Sequence, residues 1–294
     1  PHARPIQRVP GHMNTTRQQL AERMPATDVV VELLDARLPG ASSNPLLDEI
    51  RRGVPGKGPD GRPGDLPCIT LLTKTDLADP AVTALWRDHF HARRQVKTLS
   101  VDLTQKRDTK NLPKLIRRLA PKRVEKNKPV RVLIVGIPNV GKSTLVNALR
   151  GKAVARTGNE PAVTKGPQEI KLADGIVLTD TPGILWPKFD DENVGLTLAI
   201  SGAIKDTAVD DDELGPAAAA YLLQHYPDRL GERYQLAELP DAERDDAPLV
   251  LLDAIGRKRG CLVAGGEVEF TKACQLLLRE LRTGKLGRIS LERP

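Results

Sequence analysis

The chain has 294 residues, 39% of them apolar, with 45 Lys and Arg against 38 Asp and Glu for a formal net charge of +7, and its mean hydropathy is −0.34. This length allows one large domain or two ordinary ones, and the apolar fraction excludes a disordered or fibrous chain. No apolar run approaches the ~18 to 20 residues that cross a bilayer, and Cys68, Cys261 and Cys274 are too few and too irregularly spaced for a disulfide framework or a zinc site. In chain order, Pro1 to Gln7 lacks the apolar stretch of a secretory signal, with a removed leader left open, and the sparse cysteines lead to the expectation of a reducing, cytoplasmic location. Asp28 to Leu34 is a β-branched run that predicts a buried strand leaving into Asp35-Ala36-Arg37, and Ser42 to Arg52 predicts a helix. Gly53 to Pro67 holds five Gly and four Pro, a composition that predicts an exposed, mobile, inserted loop resisting helix and sheet. Cys68 to Thr73, Val96 to Leu99 and Val130 to Val135 predict strands; Pro80 to Arg94, Asn111 to Ala120 and Ser143 to Arg150 predict helices. Gln168 to Ala173 and Ile176 to Thr179 predict a strand pair, and the chain beyond about Asp190 predicts helices with short turns. Strands alternating with helices imply an α/β fold, a mostly parallel sheet covered on both faces, followed by a small all-helical domain.

Charge is unevenly placed. From Lys106 to Arg131 eleven Lys and Arg face only Asp108 and Glu125, and from Arg257 to Arg293 nine face four acids. Such runs suit polyanionic partners. Aromatic residues make up 3% of the chain, too few for rows of base-stacking rings, so a structured, phosphate-rich partner fits better than a single strand.

Gly136-Ile137-Pro138-Asn139-Val140-Gly141-Lys142-Ser143 matches G-x-x-x-x-G-K-[ST] between a predicted strand and a predicted helix. Glycines let such a loop wrap a phosphate, with the backbone NH groups of Asn139, Val140, Gly141, Lys142, Ser143 and Thr144 turned inward and the helix N-terminus adding partial positive charge. Lys142 is expected to reach the β and γ phosphates and Ser143 to give its hydroxyl to Mg²⁺. A chance Gly-rich turn is the alternative, and the flanking elements weigh against it. Asp180-Thr181-Pro182-Gly183 follows a strand 44 residues after Gly136, which suits Asp180 as a water-mediated Mg²⁺ partner and the Gly183 NH as a γ-phosphate contact. Thr164 could offer its hydroxyl to Mg²⁺, or be an ordinary loop threonine. In Thr73-Lys74-Thr75-Asp76 the aspartate can accept both the N1 and N2 hydrogens of guanine while the Lys74 stem lies along the base; a solvated turn is the alternative. Ser100 stands where a second base-contact loop is expected.

These motifs resemble those of a translation-factor-class GTPase in a circularly permuted order, with guanine motif (73 to 76) and base-contact loop (100 to 102) ahead of the phosphate loop. Val9-Pro10-Gly11-His12-Met13, Asp35-Ala36-Arg37, Gly136 to Ser143, Asp180 to Pro187, Ala254 to Gly260 and Gly284 to Leu291 together resemble the bacterial ribosome biogenesis GTPase A family. The resemblance implies a permuted Ras-like P-loop domain over 28–190, an N-terminal segment 1–27 carrying the Pro-Gly-His-Met loop, and a helical RNA- or ribosome-binding domain over 191–294. It implies GTP binding and hydrolysis in late maturation of the large ribosomal subunit, by a protein read as a monomer that contacts rRNA and ribosomal proteins. The sequence departs from the family pattern at Thr73, where Asn is usual, and at Pro161 to Lys165, where Pro-Gly-Ile-Thr-Thr is expected.

Ras-type enzymes use a Gln just after D-x-x-G to position water. Ile184 cannot accept a hydrogen bond, so slow intrinsic turnover is expected, with His12 as the candidate catalytic group beside Lys142. A surface or RNA-contact role for His12 stays open. Asn139 resembles the position that ligates K⁺ in related GTPases, or is a turn former. Arg257, Lys258, Arg259, Lys272, Arg279, Arg282, Lys285 and Arg288 could line an RNA-binding face or a merely solvated one. Rival readings are a P-loop nucleotide kinase or ATPase, a GTPase acting on the small subunit or tRNA, and an RNA-binding scaffold with a decayed site.

Overall fold

The protein is described by a computed structural model over residues 11–94, 96–150, 168–172, 174–180, 192–203 and 209–294, with only the backbone of 11–16, 168 and 180. Chain order is α1 (Gly11–Arg23), β1 (Val29–Asp35), α2 (Pro39–Ser42), α3 (Pro45–Ile50), β2 (Cys68–Thr73), α4 (Pro80–Arg94), β3 (Lys97–Ser100), α5 (Lys106–Thr109), α6 (Leu112–Arg118), α7 (Pro121–Glu125), β4 (Val130–Gly136) and α8 (Lys142–Arg150). There follow β5 (Gln168–Leu172), β6 (Ile176–Asp180), α9 (Glu192–Ser201), α10 (Asp211–His225), α11 (Pro227–Tyr234), α12 (Ala247–Arg259) and α13 (Phe270–Arg282).

Six strands form one sheet in the order β3-β2-β1-β4-β6-β5, parallel except for the antiparallel pair β5–β6. The unbroken apolar runs of β1 and β2 are explained by their central position, where every residue is buried. Both are flanked by parallel partners, β1 by β2 and β4 and β2 by β1 and β3. The buried Glu32 of β1 is paired: it accepts from Arg94 (2.7 Å), which also bonds Asp48 (2.7 Å). On α4, Trp86 packs against Phe90 with ring centroids 5.5 Å apart.

Three expectations change. Gly11 to Met13 open helix α1 instead of forming a loop; Leu20 and Met24, four residues apart, are both buried and give the segment a core-facing edge. The expected helix 42–52 is divided into α2 and α3, because Pro45 starts a new helix capped by the Asn44 side chain, which accepts from Leu46 N at 2.8 Å. The Gly/Pro-rich stretch 53–67 is a small closed lobe: Val54 and Gly64 exchange backbone bonds of 2.8 and 3.0 Å, and Val54 and Leu66 are buried. Two apolar anchors and the left-handed Gly53, Gly56 and Gly61 outweigh the composition.

The chain divides into two compact units, one made of Arg8–Asp76 and Ala81–Lys188, the other of Leu77–Pro80 and Phe189–Glu292. Thus four residues just after the guanine motif belong to the helical unit. There Ile289 N donates to the Leu77 carbonyl (2.9 Å), Arg288 Nε to the Ala78 carbonyl (2.8 Å) and Asp79 N to Ser290 Oγ (3.1 Å). The helical core is Leu214, Leu222, Leu251, Ile255, Leu277 and Leu281. Gly215 lets α10 and α13 approach so closely that a Cβ would stand 2.6 Å from Cys274 Cβ. Cys68 and Cys274 are buried free thiols, each pushed up to about 12 by burial. Among the described residues no helix is long and apolar enough to cross a membrane.

Candidate nucleotide-binding site

The register of the parallel strands carries the motifs to one edge of the sheet. Asp35 is opposite Thr73, Leu72 opposite Ser100, Leu33 opposite Gly136 and Ile134 opposite Asp180. Ligands of open α/β sheets bind outside these carboxyl ends, whatever the order in which the chain visits them.

At this edge β4 ends in Gly136 and α8 begins with Lys142. A side chain at Gly136 would lie 2.7 Å from Val140 Cγ1 and 3.1 Å from the Leu33 carbonyl, so the turn closes tightly only with glycine. Asn139 and Gly141 are left-handed, at φ 61° and 114°, and Asn139 is exposed. Val140 is buried under the loop, Lys142 is buried at the helix start, Ser143 is exposed and Thr144 half-buried. The exposed Ser143 hydroxyl is open to a metal held against phosphates, and β6 brings the Asp180 backbone to the same edge. These residues fit Mg²⁺, which keeps several waters and shares its ligands with the nucleotide. Among the described residues no three His, Cys, Asp or Glu side chains cluster as a metal cage.

The guanine motif is braced from beneath. Thr73 is fully buried, and its hydroxyl donates to the Val140 carbonyl at 2.6 Å, with the Leu34 carbonyl 3.2 Å away. One hydrogen bond therefore ties the segment expected to read the base to the loop expected to hold phosphate, across 67 residues of sequence. The residue that departs from the usual Asn still supplies a polar hydrogen. Lys74 is left-handed (φ 57°) and its Nζ lies 3.7 Å from Asp35 Oδ2. Asp35 is in turn gripped by Arg37, through Nη2 at 2.8 Å, Nε at 3.1 Å and the backbone N at 3.0 Å. Burial raises the Asp35 carboxyl, but the Arg37 charge and hydrogen bonds outweigh it and hold the carboxyl below its ordinary range. Burial holds the Lys74 ammonium below the usual lysine range, with the Asp35 carboxylate pulling the other way. Asp76 follows, exposed. Ser100, at the end of β3, carries a buried hydroxyl without a hydrogen-bond partner among the described residues, a polar atom suited to a base. The next turn is fixed by Asp102, whose Oδ1 accepts from Thr104 N (2.9 Å) and Oγ1 (2.6 Å).

The Asp35–Arg37–Lys74 network has a trace in sequence, Asp-Ala-Arg at a strand exit, but its bearing on Lys74 needed the β1–β2 pairing. Thr164, Gly183 and Ile184 lie outside the described residues, as do the side chains of His12 and Asp180. Of the eight basic residues expected to meet RNA, five are engaged within the helical unit. Arg257 pairs with Asp253 (2.8 Å), Lys272 with Glu269 (2.7 Å), Arg259 donates to the Arg233 carbonyl (2.6 Å), Arg282 to the Ile200 carbonyl (3.0 Å), and Arg288 to Ala78. Lys258, Arg279 and Lys285 are exposed.

The family described as 50S ribosome-binding GTPase matches residues 131–212. Ribosome biogenesis GTPase A of Priestia megaterium is 42% identical over 98% of this chain and 97% of its own length, and that of Thermotoga maritima is 31% identical over 97% and 93%. Among solved structures, GDP-bound TM YlqF is 26% identical with a TM-score of 0.57, covering 94% of this chain and 99% of that one. GNP-bound YlqF from T. maritima gives a TM-score of 0.55 at 26% identity, over 95% and 98%.

Proposed function

Because the chain belongs to the ribosome biogenesis GTPase A family and is a GTP-hydrolysing enzyme, we propose that it is a cytoplasmic, monomeric assembly factor for late maturation of the large ribosomal subunit. The large-subunit reading is supported by the family, and the observation that supports a single GTP site is the Thr73–Val140 hydrogen bond, which links the segment we assign to the base with the loop we assign to the phosphates.

In the reaction, water attacks the γ-phosphorus, the bond to the β–γ bridging oxygen breaks, and GDP and phosphate leave. Lys142 neutralises charge on the β and γ phosphates, and the NH groups of 139–144 orient them. Mg²⁺, held by Ser143 and Asp180 with Thr164 joining in the triphosphate state, would stabilise charge on the transferring group. Gly183 senses the γ-phosphate through its NH. Lys74 and Asp76 hold the guanine ring, and Ser100 adds a hydrogen bond at its edge. Ile184 cannot orient water, so we assign that task to His12 on α1, brought to bear when a ribosomal particle is bound, and assign Asn139 to K⁺, a cation in the place of an arginine finger. Lys258, Arg279 and Lys285 meet rRNA phosphates from the helical unit.

The test is GTP turnover of the full chain alone, with large subunits and with small subunits, in K⁺ and in Na⁺. We expect slow turnover alone and a strong rise with large subunits in K⁺, with His12→Ala lowering the stimulated rate while sparing GTP binding. Turnover of tens per second without particles, or equal stimulation by small subunits, defeats the proposal.

A further inference from the structure

We infer that α5, α6 and α7 of the GTPase unit form a second RNA face that grips the sugar-phosphate backbone of a folded RNA; this rests on the ribosomal reading above. The eleven basic residues of 106–131 are sorted by their partners. Arg123 and Arg131 turn to Asp28, at 3.3 and 3.0 Å, Arg117 donates to the Asp174 carbonyl and Arg107 lies 3.3 Å from Asp108. Lys106, Lys110, Lys114, Arg118, Lys122, Lys126 and Lys128 are exposed and form no ion pair among the described residues.

The backbone arranges this charge around hollows. A concavity of about 750 Å³ is lined by Lys110, Lys114, Arg117 and Arg118 together with Pro113 and Val124, and its two acids, Glu125 and Asp174, are outnumbered by the four cations. A second of about 380 Å³, lined by Leu99, Val101 and Leu115 with Asp108, shares Lys114 and Arg118. Those two residues, four apart on α6, therefore form a cationic ridge between two grooves. Like charges at this spacing destabilise a helix, and a polyanion relieves the repulsion. The partner is a backbone and not splayed bases, since no aromatic side chain is among the large apolar residues exposed in the described structure. A structured RNA read by shape fits a ridge that offers charge without hydrogen-bond selectivity. The helical unit differs, because most of its expected RNA contacts are spent internally.

The test titrates the full chain with a fluorescent, fully paired RNA hairpin across a salt series. Lys110→Gln, Lys114→Gln, Arg118→Gln and Lys122→Gln are combined in one variant. An equal charge is removed elsewhere on the same unit in a second, with Arg52→Gln, Arg62→Gln, Arg87→Gln and Arg93→Gln, all exposed. Each phosphate contact contributes about 0.7 to 0.9 to the slope of log affinity against log salt, so the first variant should lose about three from the slope and bind at least about tenfold more weakly at low salt. The second should keep the wild-type slope. An unchanged slope in the first, as for a solvated face or one reserved for an acidic protein, overturns the inference, and so does an equal loss in both. Binding of a fluorescent GDP analogue checks the fold; if the fourfold variant fails it, Lys114→Gln with Arg118→Gln decides, with an expected loss of about 1.5 in slope. Should large subunits fail to stimulate the wild type while the slope result holds, the large-subunit reading falls and the RNA face stands. The reverse pattern removes only the RNA face.

Discussion

Thr73 and Asp35 show how two buried polar side chains prepare a site that neither needs to touch. Thr73 spends its hydrogen on the Val140 carbonyl, so the strand end carrying the base-reading residues and the loop that holds phosphate share one position. Thr73→Val keeps the shape and removes the hydroxyl. A buried acceptor left without its donor costs about 1 to 3 kcal/mol. Urea denaturation should show that loss, and a fluorescent GDP titration should show about tenfold weaker binding, since tenfold corresponds to about 1.4 kcal/mol. Unchanged GDP affinity would mean that the two halves are positioned independently. Asp35 makes a pH-dependent contribution. Its folded-state pKa lies below the ordinary value, so the stability it supplies is present above about pH 3.9 and is lost as pH falls through the folded-state value. Asp35→Asn leaves Arg37 buried beside Lys74 without the carboxylate, a change that costs about 3 to 5 kcal/mol near neutrality. Urea midpoints measured from pH 7 downward should therefore converge for the two proteins in the acid limb; a gap that widens with acid contradicts the assignment.

Elements with a continuous apolar run were legible to within a residue. Cys68 to Thr73 and Pro80 to Arg94 read in sequence as they stand in the structure, because burial on both sheet faces leaves no room for polar alternation and the helix carries a clear apolar stripe. Helix α1 was not legible: among its described side chains Leu20 is the one buried, too little to impose a period, and Met24 follows in the next turn. The exposure of 53–67 and its lack of regular helix and strand were legible, but its closure was not, since that depends on single anchors and not on composition. Close helix packing is likewise invisible in sequence. Gly215 reads as a weak helix former, yet it permits the α10–α13 approach. Gly215→Ala sets a Cβ 3.0 Å from the Cys274 Cα, a backbone atom that cannot rotate away. Overpacking of this kind costs about 1 to 3 kcal/mol. Thermal unfolding of the variant should show that loss in the helical unit, with GDP affinity retained; no change in midpoint would show that the two helices slide apart at little cost.

At the scale of the whole molecule, the permuted order is tolerated because binding groups are defined by strand ends and not by their sequence. Spacing alone marked Thr73 to Asp76 and Gly136 to Ser143 as candidate halves of one site, but not the bond between them, since residues 67 apart announce no contact without the sheet. Nor did it show that the chain leaves the GTPase unit immediately after Asp76. Leu77–Pro80 belongs to the helical unit, where the Tyr226 hydroxyl donates to Asp79 Oδ2 at 3.0 Å and accepts from Ser290 N at 3.2 Å. Three residues after Asp76, Asp79 is thus anchored within the helical unit. Tyr226→Phe deletes both bonds while keeping the ring, and should cost the helical unit about 1 to 3 kcal/mol by leaving the buried Ser290 NH unsatisfied. If Asp79 steadies the base-reading turn, the same change should release fluorescent GDP several-fold faster in a stopped-flow chase, with Thr73 and the phosphate loop untouched. A destabilised helical unit that releases GDP at the wild-type rate would show that 77–80 is only an anchor.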